Sequence, residues 1–160
     1  MATPAELDAD LGWSLGAVMR AYLRAAAAVV ADVPGGPRGH QVLAAAARGG
    51  ASTQLALAHH LGVDRTVMTY LLDDLERAGL VARRPDPADR RARRIELTGD
   101  GEARLAELER ALRTAEDDLL APLDAEERAV LRHLLARLAG RTEPANPCQV
   151  AAEMERTPGC

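Results

Sequence analysis

Phenylalanine and lysine are both missing from this 160-residue chain, and aromatic residues make up only 2% of it. Without large rings the core must be aliphatic, built from leucine, valine and alanine, which favours packed helices over a β-sandwich. All 20 basic residues are arginine. Arginine suits bidentate contact with phosphate and guanine, but codon bias is the plainer reading of so complete a lysine absence, given the excess of alanine. No apolar run reaches the roughly 18 residues that a membrane span needs. The opening MATPAELDAD has neither a basic n-region nor an apolar h-region, so a soluble, cytoplasmic protein with no membrane partner is expected. Cys148 and Cys160 both lie in a Pro/Gly/polar tail. They imply no disulfide framework, and nothing beside either thiol obviously lowers its pKa, which leaves a thiol-based redox sensor as a weak alternative.

Catalytic signatures are absent as well. The sequence has no phosphate-cradling glycine loop, no G-x-S-x-G turn and no H-E-x-x-H helix. Ser14 and Ser52 are its only serines, and neither has neighbours that would activate a nucleophile. His59 and His60 are adjacent, so they diverge on a helix and cannot present an i, i+4 metal pair. No cysteine or carboxylate spacing completes a zinc site. Neither an enzyme, a metal nor a cofactor is expected.

What is present is helical periodicity. Leu7, Leu11, Leu15, Val18, Tyr22, Ala25 and Val29 share one face of a long first helix, ended by Pro34-Gly35-Gly36-Pro37. A shorter helix runs from about His40 to Arg48, with Leu43, Ala46 and Ala47 inward and Gly49-Gly50 as the stop. Thr53 caps Gln54 to Leu61, Gly62 makes a tight turn, and Asp64 caps a helix from Arg65 to about Ala78. Val63, Val67, Leu71 and Leu75 form its expected buried stripe. Two helices about a short glycine turn are the helix-turn-helix pattern. Its second helix exposes Arg65, Thr66, Thr69 and Tyr70 near the end that enters a major groove.

Leu80 to Ala82 and Ile95 to Leu97 read as a strand and its return, with Pro85 and Pro87 in the loop between them. Thr98 caps a helix from Gly99 to about Leu120, carrying a heptad-like seam of Leu105, Leu108, Leu112, Ala115 and Leu119. Asp124 and Glu127 have capping-box spacing. They open a last helix bearing Val130, Leu131, Leu134, Leu135 and Leu138, closed by Gly140. Residues 141–160 show no periodicity and are expected to be mobile.

Charge is distributed unevenly. Arg83 to Arg94 hold six arginines against two aspartates, a local +4, so the remainder of a chain whose total is −4 carries −8. A chain that repels polyanions overall but gathers cations on one hairpin is suited to meet phosphate there.

These residues resemble the multiple-antibiotic-resistance regulator (MarR) family of winged-helix transcription factors. The resemblance is carried by TQLALAHHLGVDRTVMTYLLDDLERAGLV and by the wing signature D-x-R-x5-LT at Asp89, Arg91, Leu97 and Thr98. It implies a mainly α fold with a small β-wing: a winged helix-turn-helix of six helices, dimerised by its N- and C-terminal helices. Residues 1–140 would be one domain, with 7–33 and 99–140 as dimerisation helices and 40–98 as the DNA-binding lobe. The partners implied are a second copy of the chain, a pseudo-palindromic double-stranded operator, and a small phenolic or aromatic effector that releases a repressor. Thr53, Arg65, Thr66, Thr69 and Tyr70 are the candidates on the helix-turn-helix. Arg84, Asp89, Arg90, Arg91 and Arg93 are those on the wing, with the Arg91 tip reaching the minor groove and Asp89 orienting it. Tyr70 and Asp74 stand where arginine is frequent in the family, and Arg65 to Ala78 carries two arginines against three acids.

Trp13, Tyr22 and His40 are candidates for an effector pocket. Equally, Trp13 reads as a packing residue at a dimer contact and His40 as a helix-start residue. A winged-helix DNA-binding or architectural protein with no effector is the rival reading of the whole chain.

Overall fold

A computed structural model of the protein describes residues 10–49, 53–87 and 92–141. Leu7, Gly50, the wing tip with Asp89, Arg90 and Arg91, and the tail from residue 142 lie outside the described residues. Among the described residues there are six helices and one two-stranded sheet, in the order α1 (Leu11–Val29), α2 (Pro37–Arg48), α3 (Gln54–Leu61), α4 (Arg65–Arg77), β1 (Val81–Pro85), β2 (Arg93–Leu97), α5 (Gly99–Leu119) and α6 (Ala125–Ala139). No helix among them is long and apolar enough to cross a membrane.

Local chemistry sets most of the boundaries. The Thr53 hydroxyl accepts from the Ala56 N–H at 3.2 Å, and the Asp64 carboxylate accepts from the Thr66 N–H at 2.7 Å. The turn between these two helices closes on Gly62, at φ 61°, a left-handed conformation that glycine adopts without a Cβ penalty. At α6 the capping box is complete, with both Asp124–Glu127 bonds at 2.9 Å. α2 begins at Pro37, ahead of the expected His40, because proline's fixed φ and missing N–H suit a first helical turn.

Several inward positions differ from the expected ones. In α2 the buried residues are Gly39, Val42, Leu43 and Ala45, while Ala47 is exposed. In α4 the buried stripe is Met68, Leu71, Leu72 and Leu75, and Val67 faces outward. A helical stripe repeats at i, i+3, i+4 and i+7; Met68 starts that series, and Val67 is one residue out of phase. Both strands are longer than expected, and Pro85 is inside β1 rather than in the loop. A two-stranded sheet has only edge strands, where a missing N–H is tolerated.

The chain divides into two compact units. Residues 29–111 hold α2 to β2 and most of α5 around one core, which includes Leu43, Leu57, Met68, Leu72, Leu75 and Ile95. That core also draws in Val30 and Val33 ahead of residue 40, and Leu105 and Leu108 beyond residue 98. The start of α5 packs so closely that a Cβ on Gly101 would lie 1.9 Å from the Leu80 carbonyl oxygen. Thr98 fixes the same corner, accepting from the Gly101 N–H and donating to the Gly79 carbonyl.

The second unit's described residues are 10–28 and 112–141. No residue of α6 is buried, and Leu11, Trp13, Leu15 and Val18 of α1 are exposed. Within this unit Arg132 pairs with Glu116 and Asp117, at 3.7 and 3.6 Å.

Candidate nucleic-acid interface

Helices α3 and α4, the short turn through Gly62 and the β1–β2 hairpin all belong to the 29–111 unit. The buried stripe of α4 fixes which of its residues face water. Arg65, Thr66 and Tyr70 are exposed, Tyr70 at 68%, and Val67 joins them at 43%. Thr69 is only partly buried rather than exposed, and its hydroxyl is engaged on both sides: it donates to the Arg65 carbonyl at 2.9 Å and accepts from the Gln54 amide at 2.7 Å. Gln54, the first residue of α3, was not among the sequence candidates. Its hydrogen bond ties the two helices of the motif together at their N-terminal ends.

The acids of α4 are accounted for by arginines. The Arg83 guanidinium bonds both Asp73 and Glu76, and its backbone N–H also donates to Glu76 at 3.1 Å. Arg77 pairs with Asp74 at 2.6 Å. Burial works against the charge on Arg83, but the bonds to Asp73 and Glu76 outweigh it and hold its pKa above the ordinary value. Arg83 is therefore not one of the cations offered to phosphate, as its place in the +4 stretch suggested. It clamps the base of the wing to the recognition helix and neutralises two carboxylates there.

The remaining wing arginines are arranged differently. The strand register sets Arg84 opposite Arg94 and Pro85 opposite Arg93. Arg84 and Arg93 are exposed, whereas Arg94 is partly buried and its Nε has no partner. Thr53 forms a backbone bridge with Arg94, which joins the start of α3 to the wing. Like charges directly opposite one another destabilise a ladder, so the Arg84–Arg94 pair is disfavoured unless a polyanion lies against it. Thr53, Arg84, Arg93 and Arg94 thus come together around the wing, and Arg65, Thr66 and Tyr70 along α4.

Trp13 is half exposed. Tyr22 is partly buried, and that burial, followed by the nearby Glu116 charge, raises its pKa. His40 has a buried Nε2 with no hydrogen-bond partner; burial depresses its pKa, with Glu109 opposing and Arg48 adding to the effect. Among the described residues no three His, Cys, Asp or Glu side chains are placed to hold a metal ion.

A helix-turn-helix followed by an arginine-bearing two-stranded wing defines a winged-helix DNA-binding protein. The profile of the MarR family matches residues 37–92. The transcriptional repressor CouR, solved bound to a 23-mer DNA duplex, is 31% identical, with 87% of this chain and 99% of that one covered and a TM-score of 0.65. A MarR family protein of Mycobacterium tuberculosis, in complex with DNA, is 26% identical over 82% of this chain and 98% of that one, with a TM-score of 0.66. A mutant of E. coli MarR complexed with operator DNA is 25% identical over 86% and 99% of the two chains, with a TM-score of 0.60. The chain belongs to the MarR family of DNA-binding transcriptional regulators.

The Arg83 clamp yields a first prediction. Arg83→Ala should lower duplex affinity although Arg83 faces α4, because it leaves Asp73 and Glu76 uncompensated beside the phosphates. Their partial exposure keeps the folding cost at roughly 1–2 kcal/mol, below that of a fully buried pair. Adding Asp73→Asn and Glu76→Gln should restore much of the affinity. If anisotropy titrations show Arg83→Ala behaving like wild type, the clamp has no bearing on binding.

Proposed function

We propose that the protein is a homodimeric, sequence-specific transcriptional repressor that binds a pseudo-palindromic operator and is released by a small phenolic or aromatic effector. Each 29–111 unit is a lobe serving one half-site, with Arg65, Thr66, Thr69 and Tyr70 facing the major groove and Thr53, Arg84 and Arg93 meeting the backbone. Arg91, oriented by Asp89 in the D-x-R signature, takes the minor groove, and Arg90 beside it contributes to DNA contact. Residues 1–28 and 112–140 supply the dimer contact, completing a single domain over 1–140. The observation that carries this reading is the opposed Arg84–Arg94 pair beside an exposed helix face whose acids are already paired. The relative CouR, described as a transcriptional repressor, supports the sense of regulation.

Release requires an effector that favours a lobe spacing unable to span successive major grooves. Trp13, Tyr22 and His40 are its candidate contacts, each supplying an aromatic surface or a polar atom without a partner. The test combines duplex selection from a random pool with ligand titration of the selected site. Aromatic acids and phenols should weaken operator binding and change Trp13 fluorescence, and by linkage the operator should weaken ligand binding by the same factor. Specific binding that no such ligand alters would favour the effector-free alternative. Failure to enrich any duplex would overturn the regulator reading.

A further inference from the structure

Counting the hydrogen bonds of α4 leaves its outward face with few polar groups for reading bases. Thr69 has committed its hydroxyl proton to the Arg65 carbonyl and one lone pair to Gln54. The Thr66 N–H is taken up by the Asp64 carboxylate that caps the helix. Asp74 is held by Arg77, and Asp73 and Glu76 are held by Arg83. What α4 presents outward over its first two turns is the Val67 side chain, the Tyr70 ring with its terminal hydroxyl, and Thr66 with its γ-methyl and hydroxyl, with Arg65 as the cation at the helix start.

Apolar groups on a recognition helix have one natural counterpart in the major groove. Thymine alone among the four bases displays a 5-methyl group there. Val67 is not recruited by the core, since Met68, Leu71, Leu72 and Leu75 complete the buried stripe without it. A valine and a tyrosine kept at the water-facing side of this helix gain burial when methyl groups dock against them.

We infer that α4 reads its half-site mainly through thymine 5-methyl groups, with Val67 and Tyr70 as the specificity-determining residues. This rests on the reading of α4 as the recognition helix, and it names the base chemistry which that helix selects. Sites bound by this protein carry thymines at the positions facing residues 66–70. Arg65 adds a polar contact at one end and leaves the methyl contacts to discriminate over the rest.

The experiment uses the full chain. Random-pool selection supplies a duplex, and each thymine in its half-sites is then replaced by deoxyuridine, which removes the methyl and keeps every hydrogen-bonding group. Loss of one docked methyl should weaken binding about fourfold, and the symmetric pair in both half-sites about sixteenfold. In Val67→Ala the deoxyuridine penalty should vanish at one thymine per half-site and persist at the others. Val67 is 43% exposed, so that variant should keep the wild-type circular dichroism and melting temperature. A selected site without thymine opposite α4, or a deoxyuridine duplex bound as tightly as the thymine one, would overturn the methyl reading. If specific binding survives in either case, only the base chemistry is wrong. If no duplex is preferred over random DNA, the regulator reading fails with it.

Discussion

Leu135→Asp should convert the protein from a dimer into a species that neither dimerises nor binds its operator at wild-type affinity. Val130, Leu134, Leu135 and Leu138 lie on α6, with Leu135 exposed at 45% and Leu138 at 64% in the single chain. Val130, Leu134 and Leu138 are spaced by four, and Leu131, Leu135 and Leu138 by four and three, which makes one continuous apolar strip. Together with Leu11, Trp13, Leu15 and Val18 of α1, this is more apolar surface than a monomer ordinarily leaves to water. A two-fold partner presenting the same strip would cover it. Each leucine buried there contributes roughly 1.5–3 kcal/mol, so losing one from each subunit costs about 3–6 kcal/mol before the desolvation of two carboxylates is added. The dissociation constant should rise by about 10²-fold to 10⁴-fold. The core of the 29–111 unit contains no α6 residue, so the variant's winged unit should still melt cooperatively. Sedimentation velocity at micromolar concentration reads the outcome. A wild-type monomer, or a Leu135→Asp dimer with unchanged operator affinity, would defeat the proposed assembly.

The legible and illegible parts of this chain separate by the range of the interactions involved. Thr53, Gly62, Asp64 and the Asp124–Glu127 box could be read because a cap is decided within four residues. The helix-turn-helix and the hairpin were legible for the same reason. The phase of the α4 stripe was not. Val67 and Met68 are both apolar, and only the neighbours packed against them decide which turns inward. The Arg83 clamp was not legible because its partners, Asp73 and Glu76, come within reach only once β1 lies against α4. A usable signal was there: two carboxylates three residues apart on the recognition helix, just ahead of a strand with two arginines at its third and fourth positions. Gln54 was missed because its partner Thr69 is fifteen residues away, and a helix-start glutamine has no periodicity to mark it. Gly101 likewise reads as an ordinary helix residue until the Leu80 carbonyl is found beneath it.

Replacing Arg84 and Arg93 together by alanine should separate binding from stability, moving the two in opposite directions. Both side chains are exposed on the wing, and Arg84 faces Arg94 directly across the ladder. Removing one member of a like-charged cross-strand pair relieves a repulsion of roughly 0.2–1 kcal/mol, so the melting temperature should hold or rise slightly. Duplex affinity should fall for operator and random DNA alike, because phosphate contacts carry no sequence information. Each phosphate contact contributes about 0.9 to the slope of log K against log salt, so two per lobe and two lobes should reduce the slope by roughly 3 to 4 units. Between 50 and 200 mM salt the variant should therefore lose about 10²-fold less affinity than wild type. The ratio of operator to random binding should stay near its wild-type value, which distinguishes these arginines from Val67 and Tyr70. An ordinary solvated hairpin would behave otherwise: the double variant would leave slope and affinity untouched. Sequence-specific loss at an unchanged slope would instead mean that the wing reads bases and the phosphate contacts lie elsewhere.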